Sequence, residues 1–483
     1  MKKYILTIDA GTTGLTVILF DDELKIVDKE YSELSQIYPN ENWVEHDPTE
    51  LIDKIELATG KITKKHLKKN ITSIGITNQR ESVVVWNKKT GKPIYNTIVW
   101  QCKRTNDFCK SLKKEKKSVF KKTGLYIDSY FSATKLKWII DNVKCAKRLI
   151  ENDKLMFGTV DTWIIWNLTN RKKHLTDFTN ASRTLLYNIN DKKWDNELLK
   201  LFNVPKKVLP EVKNSIDNYG IYQKYNIPIN AVAGDQQAAL FGQGCFKKGN
   251  SKCTYGTGLF FLMNTGQNRI DSKNMLITTL SIDENGKPNY AIEGSVFIGG
   301  AIVQWLRDEL KLISKASETD KISESLNDSN GVYIVPAFVG LGAPYWRPDT
   351  KGLITGLTRN SNYKHIIRAA LESIAFQAQD LFSAISKDFK QNIKELYVDG
   401  GATNNNFLMQ FQSNISNVTI FKPNNIESTS VGVCIMSGLK SKVWPNAKTA
   451  IKNKKIEKIY KSKISNKNRR QQLENWKLAV EKV

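Results

Sequence analysis

The chain has 483 residues, of which 40% are hydrophobic, and it carries a formal net charge of +25. This length is more than one hydrophobic core comfortably supports, so two domains are expected. No stretch approaches the roughly 20 apolar residues that a membrane-spanning helix needs. Asp9 interrupts the first apolar run too early for a secretory signal. These features exclude membrane insertion and predict a cytoplasmic protein.

The positive charge has two interpretations, a nucleic-acid or acidic-membrane surface and a set of solvated lysine-rich faces. The lysines occur in short runs such as Lys113–Lys117, without an arginine-rich tail or a nucleic-acid-binding motif. We therefore favour the solvated faces and expect no nucleic-acid partner. The six cysteines form no Cys-x-x-Cys pair, which predicts neither a disulfide framework nor a zinc site.

The first predicted elements are two strands joined by a tight turn. Tyr4–Ile8 forms an apolar run, Asp9–Gly14 supplies the turn, and the second strand extends to Asp21. A helix start follows at Asp47–Glu50, where Asp47 can cap, Pro48 suits the first turn and Glu50 can reach back as in a capping box. One apolar face then continues through this helix, made by Leu51, Ile55, Ala58 and Ile62.

The next predicted strand, Ile71–Thr77, ends in polar residues that include Arg80 and Glu81. Such a pair can donate to and accept from vicinal hydroxyls, or it can be a structural ion pair. Three aromatic residues allow a similar choice between a core position and a wall against the C–H faces of a small polyol: Trp100, Tyr130 and Phe260.

A second acidic turn follows the apolar run that ends at Gly234, where Asp235 stands at the expected end of a strand. Further on, Cys253–Asn264 reads as strands around a Gly-Thr-Gly turn, and strand Glu395–Asp399 leads into the glycine-rich loop 400–405. The alternation of strands and helices predicts α/β layers in two related lobes, residues 1–245 and 246–483. Asn466–Val483 reads as an amphipathic helix that packs on the protein.

These loops suit phosphoryl transfer from ATP, which needs donors along the phosphates, a divalent ion and a group that orients the acceptor. Thr12, Thr13 and Thr257 offer hydroxyls beside accessible glycine N–H groups. Asp9 and Asp235 offer hard oxygen ligands for Mg²⁺, through water, and Asp235 can also accept a proton from an attacking hydroxyl.

The chain resembles the bacterial glycerol kinases of the FGGY carbohydrate kinase family, within the actin/hexokinase-like ATPase superfamily. The resemblance extends from Tyr4 to about Trp444. Its motifs are Trp43–Pro48, Gly75–Glu81, Ile98–Cys102, Tyr130–Lys135, Gly158–Trp163, Thr179–Thr184, Gly234–Gly242, Gln304–Asp308, Gly356–Arg359 and Arg368–Ser373.

The resemblance implies phosphorylation of glycerol by ATP to sn-glycerol 3-phosphate, in a cleft between two ribonuclease-H-like domains. It implies Asp235 as the base and Asp9 near Mg²⁺. The implied glycerol contacts are Arg80, Glu81, Trp100, Tyr130, Asp235, Gln236 and Phe260. The implied nucleotide contacts are Thr12, Thr13, Gly14, Thr257, Gly300, Gln304, Gly401, Ala402 and Asn405. A homodimer or homotetramer is also implied.

Three segments depart from the family pattern, and Arg347 stands where the family frequently has Asp. The first turn has Ala10, Gly14, Leu15 and Thr16 where the family commonly has Gln, Ser, Ser and Arg, which removes a cationic contact to the phosphates and bears on ATP affinity. Segment 218–228 lacks the loop associated with inhibition by fructose 1,6-bisphosphate, so weak or no inhibition is expected. The region after Tyr460 does not match the segment that binds a sugar-transport regulatory protein in some relatives.

Two other functions stay open at this point. One is a kinase for another small polyol or a ketose, which a substrate panel would distinguish. The other is a catalytically weakened binding protein, which the altered first turn and the positive charge favour and the retained Asp9 and Asp235 oppose.

Overall fold

The computed structural model describes residues 3–66, 70–345, 347 and 349–483. The chain divides into two compact units, unit 1 with Met1–Phe246, Thr278–Tyr290 and Ser428–Asn453, and unit 2 with Lys247–Ile277, Ala291–Glu427 and Lys454–Val483. The chain first leaves unit 1 after Phe246, next to the predicted boundary. The predicted single boundary does not account for Thr278–Tyr290 and Ser428–Asn453, which follow it in the chain but belong to unit 1.

The elements are numbered in chain order. The strands are β1 Tyr4–Ala10, β2 Gly14–Asp21, β3 Ile26–Glu33, β4 Glu45–His46, β5 Ile71–Asn78, β6 Val84–Asn87, β7 Thr97–Ile98, β8 Leu155–Gly158, β9 Leu175–Asp177, β10 Tyr187–Asn188, β11 Lys193–Trp194, β12 Glu211–Lys213, β13 Ile221–Tyr222, β14 Ile227–Gly234, β15 Ser251–Tyr255, β16 Leu259–Gly266, β17 Ile277–Ile282, β18 Pro288–Val296, β19 Tyr333–Val335, β20 Leu353–Thr355, β21 Glu395–Asp399, β22 Thr419–Pro423 and β23 Ile456–Tyr460. The helices are α1 Pro48–Lys65, α2 Asn106–Ser111, α3 Lys116–Thr123, α4 Ser132–Asn142, α5 Ala146–Glu151, α6 Val160–Leu168, α7 Phe178–Ala181, α8 Asn196–Leu201, α9 Asp235–Gly242, α10 Ala301–Asp308, α11 Glu318–Glu324, α12 Tyr363–Phe389, α13 Asn406–Ser416, α14 Ser428–Lys440, α15 Ala447–Ile451 and α16 Asn466–Val480.

Unit 1 is built on a mixed sheet with the strand order β13-β14-β5-β1-β2-β3. β1 pairs antiparallel with β2 and parallel with β5, and β14 runs parallel to β5. Ala10 and Gly234 both lie beside Asn78 in this register. The carboxyl ends of β1, β5 and β14 therefore meet at one edge of the sheet, which is where α/β sheets usually hold ligands.

Helix α1 begins as the sequence predicts, but one half of its predicted cap is wrong. Asp47 Oδ1 accepts a hydrogen bond from the Thr49 N–H at 2.7 Å. The Glu50 carboxylate instead accepts from the Ser35 hydroxyl at 2.9 Å and pairs with Lys54. A contact with a residue distant in the chain has replaced the local one. The predicted apolar face of the helix is buried.

Helix α14 explains why Ser428–Asn453 belongs to unit 1. It packs against β5 and α9 so closely that glycines are required at the contacts. A Cβ on Gly75 would lie 2.4 Å from the Val433 carbonyl oxygen, and a Cβ on Gly432 would lie 2.0 Å from the Ala238 carbonyl oxygen. Neither position tolerates a side chain without a backbone shift.

Unit 2 contains the strands β16-β15-β21-β22-β23 of a second mixed sheet, in that order. β15 pairs antiparallel with β16 and parallel with β21, and β21 runs parallel to β22. In unit 1, β1 therefore lies between an antiparallel neighbour, β2, and a parallel one, β5. In unit 2, β15 lies in the same way between β16 and β21. This repetition agrees with the expected pair of related lobes.

Two helices of unit 2 form much of its core. α12 has 27 residues and a long buried face, and Trp476 of α16 stacks on Phe376 with ring centroids 5.1 Å apart. Trp476 Nε1 also donates to Asp380 Oδ2 at 2.7 Å. The predicted C-terminal helix and its packing on the protein are confirmed. Across the described ranges, every helix is too short or too polar to cross a lipid bilayer.

The contact between α14 and α9 predicts a strong effect of Gly432→Ala. The new methyl group would overlap the Ala238 carbonyl, and overpacking of this kind costs about 1–3 kcal/mol. We expect the midpoint of thermal unfolding of unit 1 to fall by about 4 °C or more, measured by calorimetry. The control is Gly60→Ala in α1, where the Cβ would meet only the movable Tyr225 hydroxyl at 3.1 Å. Equal midpoints for the two variants would contradict this packing argument.

Candidate active site

Arg80 and Asp235 come together at the edge where β5 and β14 end. Arg80 Nε lies 3.1 Å from Asp235 Oδ1, and Arg80 Nη1 donates to Gln237 Oε1 at 3.1 Å. The Arg80 side chain is 2% exposed, whereas that of Asp235 is 31% exposed. A Cβ on Gly234 would lie 2.7 Å from the Arg80 stem, so a glycine is required before Asp235. The site thus has a buried guanidinium beneath a carboxylate that reaches solvent.

Glu81 has an unusual backbone conformation, and a second buried cation binds its carboxylate. Its φ is +64°, in the left-handed region that side chains other than glycine rarely adopt. Arg183 Nε lies 2.5 Å from Glu81 Oε1, and the Ser132 hydroxyl donates to the Glu81 carbonyl at 2.9 Å. Arg80 Nε lies 3.8 Å from the same Glu81 oxygen. Such strain persists only where the surroundings fix the residue, as they do at functional sites.

Trp100 and Tyr130 form an aromatic pair beside these charges. Their ring centroids are 5.4 Å apart with the planes at 89°, an edge-to-face arrangement. The Trp100 backbone N–H donates to Ser82 Oγ at 3.1 Å, and its indole Nε1 donates to Thr12 Oγ1 at 2.8 Å. The pair therefore bridges the end of β5 and the turn between β1 and β2. Both rings are partly exposed.

The turn that contains Thr12, Thr13 and Gly14 is tied down through its carbonyl groups. Gln79 Nε2 donates to the Gly11 carbonyl at 3.2 Å, Gln36 Nε2 donates to the Thr12 carbonyl at 2.9 Å, and the Leu34 N–H donates to the Thr13 carbonyl at 3.0 Å. With its carbonyls bound in this way, the turn has the fixed geometry that a phosphate-binding loop requires. Asp9 lies in β1, opposite Thr16 and Thr77.

Gly14, one of the departures from the family pattern, lies close to an aromatic side chain. A Cβ on Gly14 would lie 2.6 Å from the Tyr31 ring on the neighbouring strand β3. Tyr31 is 55% exposed, and the atoms close to Gly14 are those at the far end of its side chain, so the ring can move aside.

A buried polar network holds the backbone that presents Asp235. The Gly234 N–H donates to Thr179 Oγ1 at 2.8 Å, and the Thr179 hydroxyl donates to Asp177 Oδ2 at 2.7 Å. Asp177 also accepts from the Ser215 hydroxyl at 2.7 Å. Burial raises the pKa of Asp177 and, with Asp177 nearby, that of Asp161 to about 7.

In unit 2, the Gly-Thr-Gly turn between β15 and β16 packs on the start of α10. The N–H groups of Gly299 and Ala301 donate to the Thr257 carbonyl at 2.7 and 3.1 Å. The Gly300 N–H donates to the Gly256 carbonyl at 2.8 Å. Thr257, Gly300 and Gln304 of α10 are therefore close neighbours, as the predicted nucleotide contacts require.

The second glycine-rich loop of unit 2 lies against the same turn. Gly400 has a φ of +90°, and a Cβ there would lie 2.5 Å from the Tyr255 carbonyl. A Cβ on Gly300 would reach the Ala402 methyl at 4.0 Å, whereas one on Gly401 would meet open space. Asn405 caps α13 through the Leu408 N–H and donates to Thr319 Oγ1 at 3.0 Å. Phe260 lies in β16, opposite Thr254.

The sequence predicts Mg²⁺ near the carboxylates of Asp9 and Asp235, through water. The described residues contain no group of three or more His, Cys, Asp or Glu side chains that could enclose an ion. Mg²⁺ commonly keeps several waters and takes one or two carboxylates together with substrate phosphates. Asp9 and Asp235 fit that pattern as the two predicted carboxylates.

Sequence reasoning did not assign a role to several residues of the site. Arg183 pairs with Glu81, and Gln237 accepts a hydrogen bond from Arg80. Asp177 holds the Gly234 backbone through the Thr179 hydroxyl. Arg183 lies within a quoted family motif, and Gln237 is adjacent to a predicted contact. Their partners are distant in sequence, so only the folded chain reveals what they hold.

Models of the FGGY family of carbohydrate kinases match both halves of the chain, the N-terminal domain over residues 4–242 and the C-terminal domain over residues 251–440. The chain belongs to the FGGY family of carbohydrate kinases. It is 49% identical to a glycerol kinase of Clostridium botulinum (strain 657 / Type Ba4) and 50% identical to one of Caldanaerobacter subterraneus subsp. tengcongensis. Each alignment covers 100% of this chain and 99% of the relative.

Solved structures of the family share the fold. Plasmodium falciparum glycerol kinase, solved with ADP, has a TM-score of 0.94 and 39% identity, and the match covers 100% of this chain and 98% of that one. Ligand-bound xylulose kinase of Lactobacillus acidophilus has a TM-score of 0.88 and 22% identity, covering 99% and 97%. The family resemblance and the α/β, actin/hexokinase-like fold class are confirmed.

The raised pKa of Asp161 predicts a defined pH dependence of stability. The folded protein keeps Asp161 protonated to about pH 7, whereas the unfolded chain loses this proton near pH 4. This group therefore favours the folded state less as the pH rises from about 4 to about 7. We expect the thermal midpoint of Asp161→Asn to fall less than that of the wild type between pH 5 and pH 8, measured by calorimetry.

The matched control is Asp107→Asn, whose side chain is 97% exposed and whose profile should follow the wild type. Burial lowers the pKa values of His46 and His174 to about 4, so these two groups make the folded state more stable as the pH rises. Their contribution is the same in the wild type and in both variants. Parallel profiles for Asp161→Asn and the wild type would contradict the assignment.

Proposed function

We propose that this protein is a glycerol kinase that transfers the γ-phosphoryl group of ATP to glycerol, giving sn-glycerol 3-phosphate and ADP. The proposal rests on one observation, the contact of Arg80 with both Glu81 and Asp235 beside the Trp100–Tyr130 pair. The full-length similarity to glycerol kinases supports it.

The acceptor site matches the chemistry of a small polyol. Arg80 donates to hydroxyl oxygens, and Glu81 accepts from hydroxyl protons, so the two together suit adjacent hydroxyls. Gln236 and the Tyr130 hydroxyl add polar contacts. Trp100, with Phe260 as a second aromatic contact, packs on the C–H faces of the carbon chain. The Arg183 bond holds Glu81 in place before the substrate arrives.

The proposed chemical step is an in-line displacement. The terminal hydroxyl oxygen of glycerol forms a bond to the γ-phosphorus, the bond from that phosphorus to the ADP oxygen breaks, and the hydroxyl proton passes to the Asp235 carboxylate. The Gln236 N–H donates to Asp235 Oδ1 at 2.7 Å and, with Arg80, sets the direction of the carboxylate. Because the transition state of such transfers is loose, orientation matters more here than base strength.

The nucleotide contacts are proposed in both units. Thr12, Thr13 and Gly14 of unit 1 and Thr257 of unit 2 would contact phosphates. The remaining nucleotide contacts would come from Gly300, Gln304, Gly401, Ala402 and Asn405. Asp9 and Asp235 would hold Mg²⁺ through water, and the ion, when bound, neutralises charge on the phosphate oxygens. A homodimer or homotetramer in the cytoplasm stays a prediction from the family resemblance.

Asp235→Asn tests the proposed base. The amide keeps the size of the side chain but cannot accept the proton, and general-base catalysis typically contributes 10²–10⁴-fold. We expect glycerol-dependent ADP formation to fall by at least about 10²-fold while the circular dichroism spectrum stays that of the wild type. Asp53→Asn, on the exposed face of α1, should keep full turnover. Near-normal turnover of Asp235→Asn would refute the role of this residue.

A substrate panel tests the acceptor. Because the aromatic pair and the Arg80–Glu81 pair suit a short polyol, we expect kcat/KM for glycerol to exceed that for xylulose, gluconate and erythritol by at least about 10²-fold, measured by coupled ADP detection. Preference for a ketose or an acid would show that the chain is a different kinase of the same family. Absence of turnover with every acceptor would favour a binding protein.

A further inference from the structure

Lys135 is a buried cation that none of the proposed steps uses. It is the fourth residue of α4 and is 0% exposed. Its ammonium group donates to three successive carbonyl oxygens, those of Ser129, Tyr130 at 2.7 Å and Phe131 at 3.2 Å. All three N–H donors of the side chain are therefore directed at one short stretch of backbone.

An ammonium group in such a position is costly to bury, because it loses its hydration. Carbonyl groups, and not a carboxylate, receive its hydrogen bonds. Burial lowers the pKa of Lys135 to about 8, while the nearby Glu81 acts in the opposite direction. The side chain is thus mainly charged at neutral pH, and its bonds to the carbonyls are of the stronger, charge-assisted kind.

The stretch of backbone that Lys135 binds presents Tyr130. From the other side, the Tyr130 N–H donates to Asp128 Oδ1 at 2.8 Å. The Tyr130 ring meets the Trp100 ring edge-to-face, and the Arg183 guanidinium lies 5.7 Å from its centroid. The ring direction therefore depends on a turn whose carbonyls are held by Lys135.

We propose that Lys135 is a positioning residue for acceptor binding, which fixes the turn 128–131 and thereby holds Tyr130 against the polyol. This inference rests on the proposed function, because it assigns Tyr130 to the acceptor. A residue that only stabilised α4 would affect both substrates alike. A residue that acts through Tyr130 changes the KM for glycerol alone, and its effect disappears when Tyr130 is absent.

The test is a double-mutant cycle of Lys135→Gln and Tyr130→Ala, with separate KM values for glycerol and ATP. We expect Lys135→Gln to raise the KM for glycerol about 10-fold or more and to change the KM for ATP less than about 2-fold. In the Tyr130→Ala background, Lys135→Gln should add less than about 2-fold. The control is Lys137→Gln on the same helix, where Lys137 pairs with Asp141 at 2.7 Å.

Additive effects, equal rises of both KM values, or an unchanged KM for glycerol in a folded variant would each overturn the proposal. Wild-type turnover with glycerol is measured first. If it is absent, the proposed function fails. If it is normal and the cycle is additive, only the role of Lys135 fails.

The wild-type pH profile decides the question if Lys135→Gln does not fold. Loss of the ammonium charge should raise the KM for glycerol between pH 7 and pH 9, and Tyr130→Ala should remove this rise. The other titratable groups that act on Lys135 or respond to it are Glu81, Cys102, Lys103, Cys109 and Asp128. A glycerol KM that is constant over this range, or an equal rise in Tyr130→Ala, would overturn the proposal.

Discussion

The site depends on the parallel register of β1, β5 and β14. In that register Asn78 lies beside both Ala10 and Gly234, so three chain segments leave the sheet at one edge. Gln79 then donates a hydrogen bond to the first of these segments, and Arg80 forms an ion pair with Asp235 of the third. A slip of one residue in β5 would turn each side chain to the opposite face of the sheet and separate these partners. The site is therefore a consequence of strand pairing.

Once the register has placed these residues, buried charge fixes their orientation. Arg80, Glu81, Arg183 and Lys135 are each at most 2% exposed. Removing one member of the ion-paired set Arg80, Glu81 and Arg183 leaves an uncompensated charge in the interior, which costs about 3–5 kcal/mol. Arg183 bonds Glu81, and Lys135 bonds the turn of Tyr130. Orientation before substrate binding is what electrostatic catalysis requires, because the dipoles need no reorganisation during the reaction.

The sequence predicted most of the elements around this edge, because their signals are local. The apolar runs of β1 and β5, the start of α1 and the polar residues after β5 can all be read within a few residues. The cap of α1 shows the limit, since Glu50 bonds Ser35 across an intervening loop instead of its own helix end. The return of α14 to unit 1 could not be predicted from the sequence either. Gly75 and Gly432 are required by close contacts with the backbone of Val433 and Ala238, respectively, which are distant from them in the chain. Arg183 and Glu81 are likewise far apart in sequence.

The Trp100–Tyr130 pair and the first turn are directly connected in this chain. Trp100 stacks edge-to-face on Tyr130 and donates from its indole to Thr12, while Gln79, next to Arg80, donates to the Gly11 carbonyl. A shift of the aromatic pair would therefore move the hydroxyl proposed to contact a phosphate. The turn makes these hydrogen bonds to Trp100 and Gln79 with Ala10, Gly14, Leu15 and Thr16 in place, so its departures from the family pattern leave it tied to the aromatic pair and to the end of β5.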